Sequence, residues 1–256
     1  MSLFSLRRVG FSGAPAELWT PARETLEISL WTGNAATIIL SGSDLTQWSD
    51  TSGNNRNATI GNVARRPTVT QTGFNGMRGI QFSGTQQMVH PLNTTVSPGA
   101  KTIIAFYQTQ ASQTSYRGVF AIPTGANGSM LLARTGSGFV GSFSGADINS
   151  TVAYAANSYF IVAMEDNQLS TGTKTFRING NAAGTHTANP TGAGGFIGGD
   201  VDQGQGTAMV MRGLWVFPGI GNTALIQRFE GWAFHDAGLA SMLPAGHPFK
   251  SSPPTV

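Results

Sequence analysis

Cleavage chemistry in a chain without cysteine falls to carboxylates, hydroxyls and imidazoles. Five glutamates are present, Glu17, Glu24, Glu27, Glu165 and Glu230. A glycoside-cleaving pair needs two carboxyl groups roughly 5–9.5 Å apart across the scissile bond. The one adjacent acidic pair, Glu165-Asp166, sits in a strand-like run, where neighbours point to opposite faces. Serines are plentiful, yet no Gly-x-Ser-x-Gly elbow stands between a strand and a helix, and Gly136-Ser137-Gly138 reads as a hairpin turn. The four histidines, His90, His186, His235 and His247, lack the close spacing of a zinc site.

Two loops have the oxygen-rich composition that calcium prefers. One is Gly199-Asp200-Val201-Asp202-Gln203-Gly204; the other joins Asp50 to Asn54 and Asn57. The competing reading of both is an Asx-type turn, in which the side chain bonds nearby backbone. A sugar site would need an aromatic platform beside amide or hydroxyl groups, and Tyr107, Tyr116, Tyr154 and Trp215 are candidates against a background of core aromatics. His235 and His247 are candidate ligands or partners of backbone carbonyls.

These residues must be placed by strands. The chain has 256 residues, 34 glycines, 12 prolines, 15 phenylalanines and only 11% charged residues. That composition suits short apolar runs joined by turns, with enough aromatics for a core. Strand-like runs are Leu26–Trp31, Gly79–Phe82, Thr102–Gln108, Gly118–Ile122, Met130–Ala133, Phe139–Phe143, Tyr159–Glu165, Thr173–Ile178, Gly195–Ile197 and Met209–Phe217. Asn179-Gly180 between extended segments marks a hairpin, because both residues tolerate positive φ. The spacings leave no room for crossover helices and suit a sandwich. Only 222–243 has helical periodicity, with Leu225, Ile226, Phe229, Trp232, Ala233 and Leu239 on one stripe, Asn222 or Thr223 as cap and Pro244 as stop.

Residues 1–25 read as an extended arm and 26–256 as one domain. The arm carries Leu3, Phe4, Leu6, Arg7, Arg8 and Trp19 without a period that could bury them locally. No apolar stretch of signal-peptide length follows Arg7 and Arg8, which predicts a protein made in a cytoplasm. The net charge of +3 comes from scattered basic residues without an aromatic-interleaved stripe, so nucleic-acid binding is not expected.

Three segments together carry a resemblance. They are Leu40–Thr59 with its Trp48-Ser49-Asp50 core, Asn75-Gly76 running into Gly79–Gly84, and Arg228–His235 followed by Leu243-Pro244-Ala245-Gly246-His247-Pro248-Phe249. Their order resembles the concanavalin A-like (laminin-G-like) jelly-roll domains of bacteriophage structural proteins. The resemblance implies an all-β, antiparallel two-sheet sandwich with a short carboxyl-terminal helix. It also implies work in a virion, as a capsid decoration or accessory surface protein. The arm would then dock on other virion proteins or on a second copy of the chain, Arg7 and Arg8 meeting acidic groups. The alternative is an adhesion module on a tail or fibre that recognises a host glycan. Laminarinase-like sandwiches carry Glu-x-Asp-x-x-Glu on one strand. That pattern is missing, so the chain is expected not to be an enzyme. Calcium, at Asp200 and Asp202, is the one cofactor considered.

Overall fold

The computed structural model describes residues 16–89, 101–110, 117–124, 127–134, 138–141, 148–150, 152–153, 155–166, 174–186, 195–198, 206–219 and 222–256. Within them the strands are β1 (Ile28–Trp31), β2 (Ile38–Ser41), β3 (Asp44–Trp48), β4 (Ala58–Thr59), β5 (Thr68–Phe74), β6 (Met77–Ser83), β7 (Met88–Val89), β8 (Lys101–Thr109) and β9 (Arg117–Thr124). They continue as β10 (Asn127–Arg134), β11 (Gly138–Gly141), β12 (Ile148–Asn149), β13 (Tyr159–Asp166), β14 (Lys174–Ile178), β15 (Asn181–His186), β16 (Phe196–Ile197) and β17 (Ala208–Pro218), before helix α1 (Thr223–Asp236).

Their ladders are antiparallel and form two runs. In the first, β15, β14, β13, β8 and β17 are successive neighbours, and the free side of β17 pairs β6 along its first half and β1 along its second. In the second, β2, β3, β4, β7, β16, β9, β10, β11 and β12 follow one another. Strand β5 joins the two, pairing β6 and touching β3 at Asp44↔Thr68. The layers close on each other as the expected sandwich.

The centre of the first layer is buried on both faces. Ile103, Ala105 and Tyr107 of β8, with Phe160, Val162 and Met164 of β13, meet Leu45, Trp48, Met88 and Phe120 of the second layer in the inner core. The opposite parity, Ile104 and Phe106 with Ile161 and Ala163, packs instead under Ile226, Phe229, Ala233 and Phe234 of α1. A strand with no solvent face has no reason to alternate apolar with polar. The runs 103–107 and 160–164 are accordingly continuous in apolar residues. In β17 the pairing slips at Arg212, so Met209 and Met211 point inward before the slip and Leu214 and Val216 after it. This bulge flips the parity of the strand.

Asn222 caps α1, its side chain accepting the Leu225 N–H at 2.8 Å. The helix does not run to Leu243 as the periodicity suggests. It ends at Asp236, where Gly238 takes φ +67, the Leu239 N–H bonds the Phe234 carbonyl at 2.7 Å and the Gly238 N–H bonds His235 at 3.1 Å. This is the Schellman arrangement, and its left-handed residue stops propagation. A short 3₁₀ turn, Ala240–Met242, follows.

The closing segment is fastened to the body by a buried polar cluster. Glu230 has no exposed surface; it accepts from Arg177 of β14 at 3.2 and 3.3 Å and faces His247 Nε2 at 3.2 Å. His247 Nδ1 accepts the Phe249 N–H, which leaves the Nε2 proton for Glu230. His235 bonds the Phe249 carbonyl at 2.8 Å, the backbone role weighed for it above. Asn179 and Gly180 both take positive φ, +50 and +84, as the hairpin signal requires. A Cβ at Gly180 would lie 2.8 Å from Pro244 Cδ, so the turn and the tail fit only with glycine there. Gly231 serves in the same way: a Cβ would meet Phe249 Cβ at 2.5 Å.

Trp19, expected in the arm, belongs to the body. Trp19 is 2% exposed, lies edge-on to Phe229 at 5.1 Å and donates from Nε1 to Glu24 at 3.0 Å. The backbone beside it pairs with the end of the chain, Trp19 N–H to the Pro254 carbonyl and Val256 N–H to the Glu17 carbonyl, both at 3.0 Å. An indole with this much apolar surface is satisfied inside its own domain, which corrects its assignment to a partner. Leu3, Phe4, Leu6, Arg7 and Arg8 lie outside the described residues.

Trp19→Ala should destabilise the domain by about 3–5 kcal/mol, read as a fall of roughly 10 °C in melting midpoint; a midpoint within a degree or two of wild type would show that Trp19 is not a core residue. Glu230→Ala leaves Arg177 and the buried His247 without their carboxylate. It should cost about 3–5 kcal/mol in urea unfolding, and a loss under about 1 kcal/mol would contradict the fastening role.

Candidate functional site

Where α1 leaves the edge of the first layer uncovered, a cavity of about 240 Å³ opens, lined by Thr20, Pro21, Ala22, Ser29, Trp31, Thr51, Trp215 and Trp232. Each wall follows from the fold. In β1, Ile28 and Leu30 point into the inner core, so Ser29 and Trp31 face outward. In β17, Trp215 shares that outer face because the bulge at Arg212 has reset the parity. Trp232 comes from α1, and Pro21 opens the short 3₁₀ turn Pro21–Arg23.

The three indoles pack as a group: Trp31 to Trp232 at 4.8 Å, Trp31 to Trp215 at 5.5 Å and Trp215 to Trp232 at 5.6 Å between ring centroids. Trp215 is almost wholly buried, while Trp31 and Trp232 are partly exposed. A Cβ at Gly213 would sit 2.3 Å from the Trp215 ring, so the indole lies over a position that has no side chain.

Arg212 fixes this aromatic group. Its guanidinium lies 4.2 Å from the Trp31 ring centroid, within cation–π range. Nη2 bonds Asp236 at the end of α1 at 3.0 Å, and Nη1 bonds Thr32 Oγ1 at 3.1 Å and the Arg78 carbonyl at 2.8 Å. Burial works against the charge and lowers its pKa, while the bond to Asp236 opposes that effect. The cation therefore ties the bulge, β1 and the helix end together beside Trp31.

The hydroxyl wall is set by Asp50. Its Oδ1 accepts the Ser29 N–H at 2.8 Å and the Ser52 N–H at 2.9 Å; Oδ2 accepts the Ser52 hydroxyl at 2.7 Å and the Arg56 N–H at 3.0 Å. Asn57 Oδ1 accepts the Asp50 N–H at 2.9 Å. The turn is thereby bound to β1 and sets Thr51 at the cavity, where its hydroxyl meets Ser29 Oγ at 2.9 Å. Every Asp50 oxygen is engaged by donors, so this loop takes the Asx reading and the calcium alternative there is withdrawn. Among the described residues no group of three His, Cys, Asp or Glu is placed to hold a metal. Asp200 and Asp202 lie outside those residues.

Of the aromatics picked from the sequence as a sugar platform, Trp215 lines the cavity. Tyr107 is buried in the inner core, and Tyr116 and Tyr154 lie outside the described residues. Trp31 and Trp232 were missed: one closes a strand-like run and the other sits on the helical stripe. The available signal was parity, since Trp31 shares the outward face of β1 with the polar Ser29.

No family model matches the chain, and no curated protein matches it in sequence. Solved structures do. The binding domain of Paraclostridial Mosquitocidal Protein 1 is 11% identical with a TM-score of 0.58, over 82% of this chain and 52% of that one. Trypanosoma rangeli sialidase in complex with sialic acid is 13% identical with a TM-score of 0.58, over 83% of this chain and 33% of that one. Domain 4 of AbnA, a GH43 extracellular arabinanase from Geobacillus stearothermophilus, in complex with arabinotriose, is 15% identical with a TM-score of 0.57, over 79% of this chain and 96% of that domain. The chain thus spans about half of the first of these and about a third of the sialidase.

These likenesses overturn the expectation that the chain is not an enzyme. About a third of the length of sialidase chains and a domain of an arabinanase share its fold, so the missing Glu-x-Asp-x-x-Glu pattern does not by itself set the chain apart from enzymes. What the comparisons show is architecture: an antiparallel β-sandwich, consistent with the jelly-roll expectation.

Proposed function

We propose that this domain binds carbohydrate, and that it does so in the tryptophan-lined cavity between α1 and the outer face of the first layer. The observation that carries the reading is the pairing of two partly exposed indoles, Trp31 and Trp232, with the hydroxyls of Ser29 and Thr51. A sugar ring offers C–H faces to stack on indoles and hydroxyl edges to bond. A cavity that is mostly apolar with a few fixed polar groups suits such an amphipathic ligand. The same architecture in an arabinanase domain in complex with arabinotriose supports the choice.

The role at a virion surface is a second proposal, concerning where such a domain is carried. It rests on the resemblance of the closing segment and on the apolar arm residues Leu3, Phe4 and Leu6 with Arg7 and Arg8.

Titration with the best-binding glycan from an array should show Trp232→Ala at least about tenfold weaker than wild type, the loss of a stacking hot spot. Unchanged affinity in a folded Trp232→Ala protein would remove the cavity from the account. For the virion role, deletion of residues 2–15 keeps Trp19 and the body; it should abolish occupancy on purified particles, and full occupancy would refute docking by the arm.

A further inference from the structure

We infer that the cavity takes a single neutral sugar ring and rejects a ring that carries a carboxylate. The inference rests on the binding reading above and adds the ligand class. No charged side chain is among the eight that line the cavity. The cation beside the tryptophans, Arg212, is 5% exposed and committed to Asp236, Thr32 and the Arg78 carbonyl. Next to the lining residue Ala22, Arg23 is paired with Glu17 and Glu24 accepts from Trp19.

An anionic ring seated here would lose water without gaining a counter-charge, which is strongly unfavourable. The indole faces make it worse, because the negative face of an aromatic ring attracts cations and repels anions. A neutral ring meets no such penalty. Thr51 Oγ1 gives its proton to Ser29 and keeps lone pairs to accept, while the Ser29 hydroxyl keeps a proton to donate, so the pair matches sugar hydroxyls in both senses. Size sets the ring count: about 240 Å³ lies below the roughly 300–1,000 Å³ of sites for drug-sized ligands. One ring fits inside, and further rings of a chain extend into solvent. Sharing a fold with a sialidase in complex with sialic acid therefore does not carry that acidic ligand over to this cavity.

The test is an array holding neutral, sialylated and uronate-bearing glycans, probed with the full chain, with Trp232→Ala and with Ala22→Phe. Ala22 is exposed at the cavity, so a larger side chain there obstructs it without removing core contacts and stands in should Trp232→Ala fail to fold. The expected result is binding confined to glycans that present a neutral ring, reduced at least about tenfold in both variants. Binding to sialylated or uronate glycans that both variants abolish would overturn the neutral class and leave the cavity as the site. Binding that survives both variants, or no binding by the wild-type chain, would overturn the carbohydrate reading itself.

Discussion

The whole arrangement depends on three central strands that have no water-facing side. Strands β8, β13 and β17 bury one parity against the second layer and the other under α1. At about 25 cal/mol per Å² of apolar surface, leaving that outer face wet would be prohibitive for a domain with ordinary marginal stability. The chain therefore had to bring a cover, and the last 35 residues supply it. Their fastening is polar and specific: Arg177 and His247 converge on Glu230, and Phe249 closes over Gly231.

A cover of one helix is narrower than the sheet beneath it. At the β1 edge the helix no longer reaches, and the outward residues there, Trp31 and Trp215, are bridged only in part by Trp232. The cavity is thus a consequence of architecture as much as of sequence. Two features refine it. The bulge at Arg212 turns Trp215 outward and directs a guanidinium onto Trp31, and Asp50 ties the following turn to β1, so that Thr51 stands opposite the indoles.

The long apolar strands are legible in the sequence, and several short or polar ones are not. Each of the ten expected runs overlaps a strand of the described residues, and β8, β13 and β17 read as unbroken apolar segments. Strand β5, Thr68–Phe74, alternates threonine with other residues and carries too little apolar contrast to stand out, while β2, Ile38–Ser41, is apolar but only four residues long. The helix was placed by its stripe and overextended by about two turns, since periodicity continues through Leu239 while Gly238 breaks the backbone. The Asp50 turn was legible, because a carboxylate before Ser, Gly and Asn has few other uses. The cavity was not: it joins residues 20, 31, 51, 215 and 232, and nothing local tells a core tryptophan from one at the rim of a cover.

The five tryptophans supply their own reporters. Indole N–H resonances of ¹⁵N-labelled protein, followed during titration with a neutral glycan that binds, address each ring separately. Binding in the cavity moves the signals of Trp31 and Trp232 and leaves Trp48, buried between the layers, and Trp19, beneath Phe229, where they were. Shifts confined to Trp48 or Trp19, or a bound glycan that moves no indole signal, would place the ligand elsewhere and contradict the account.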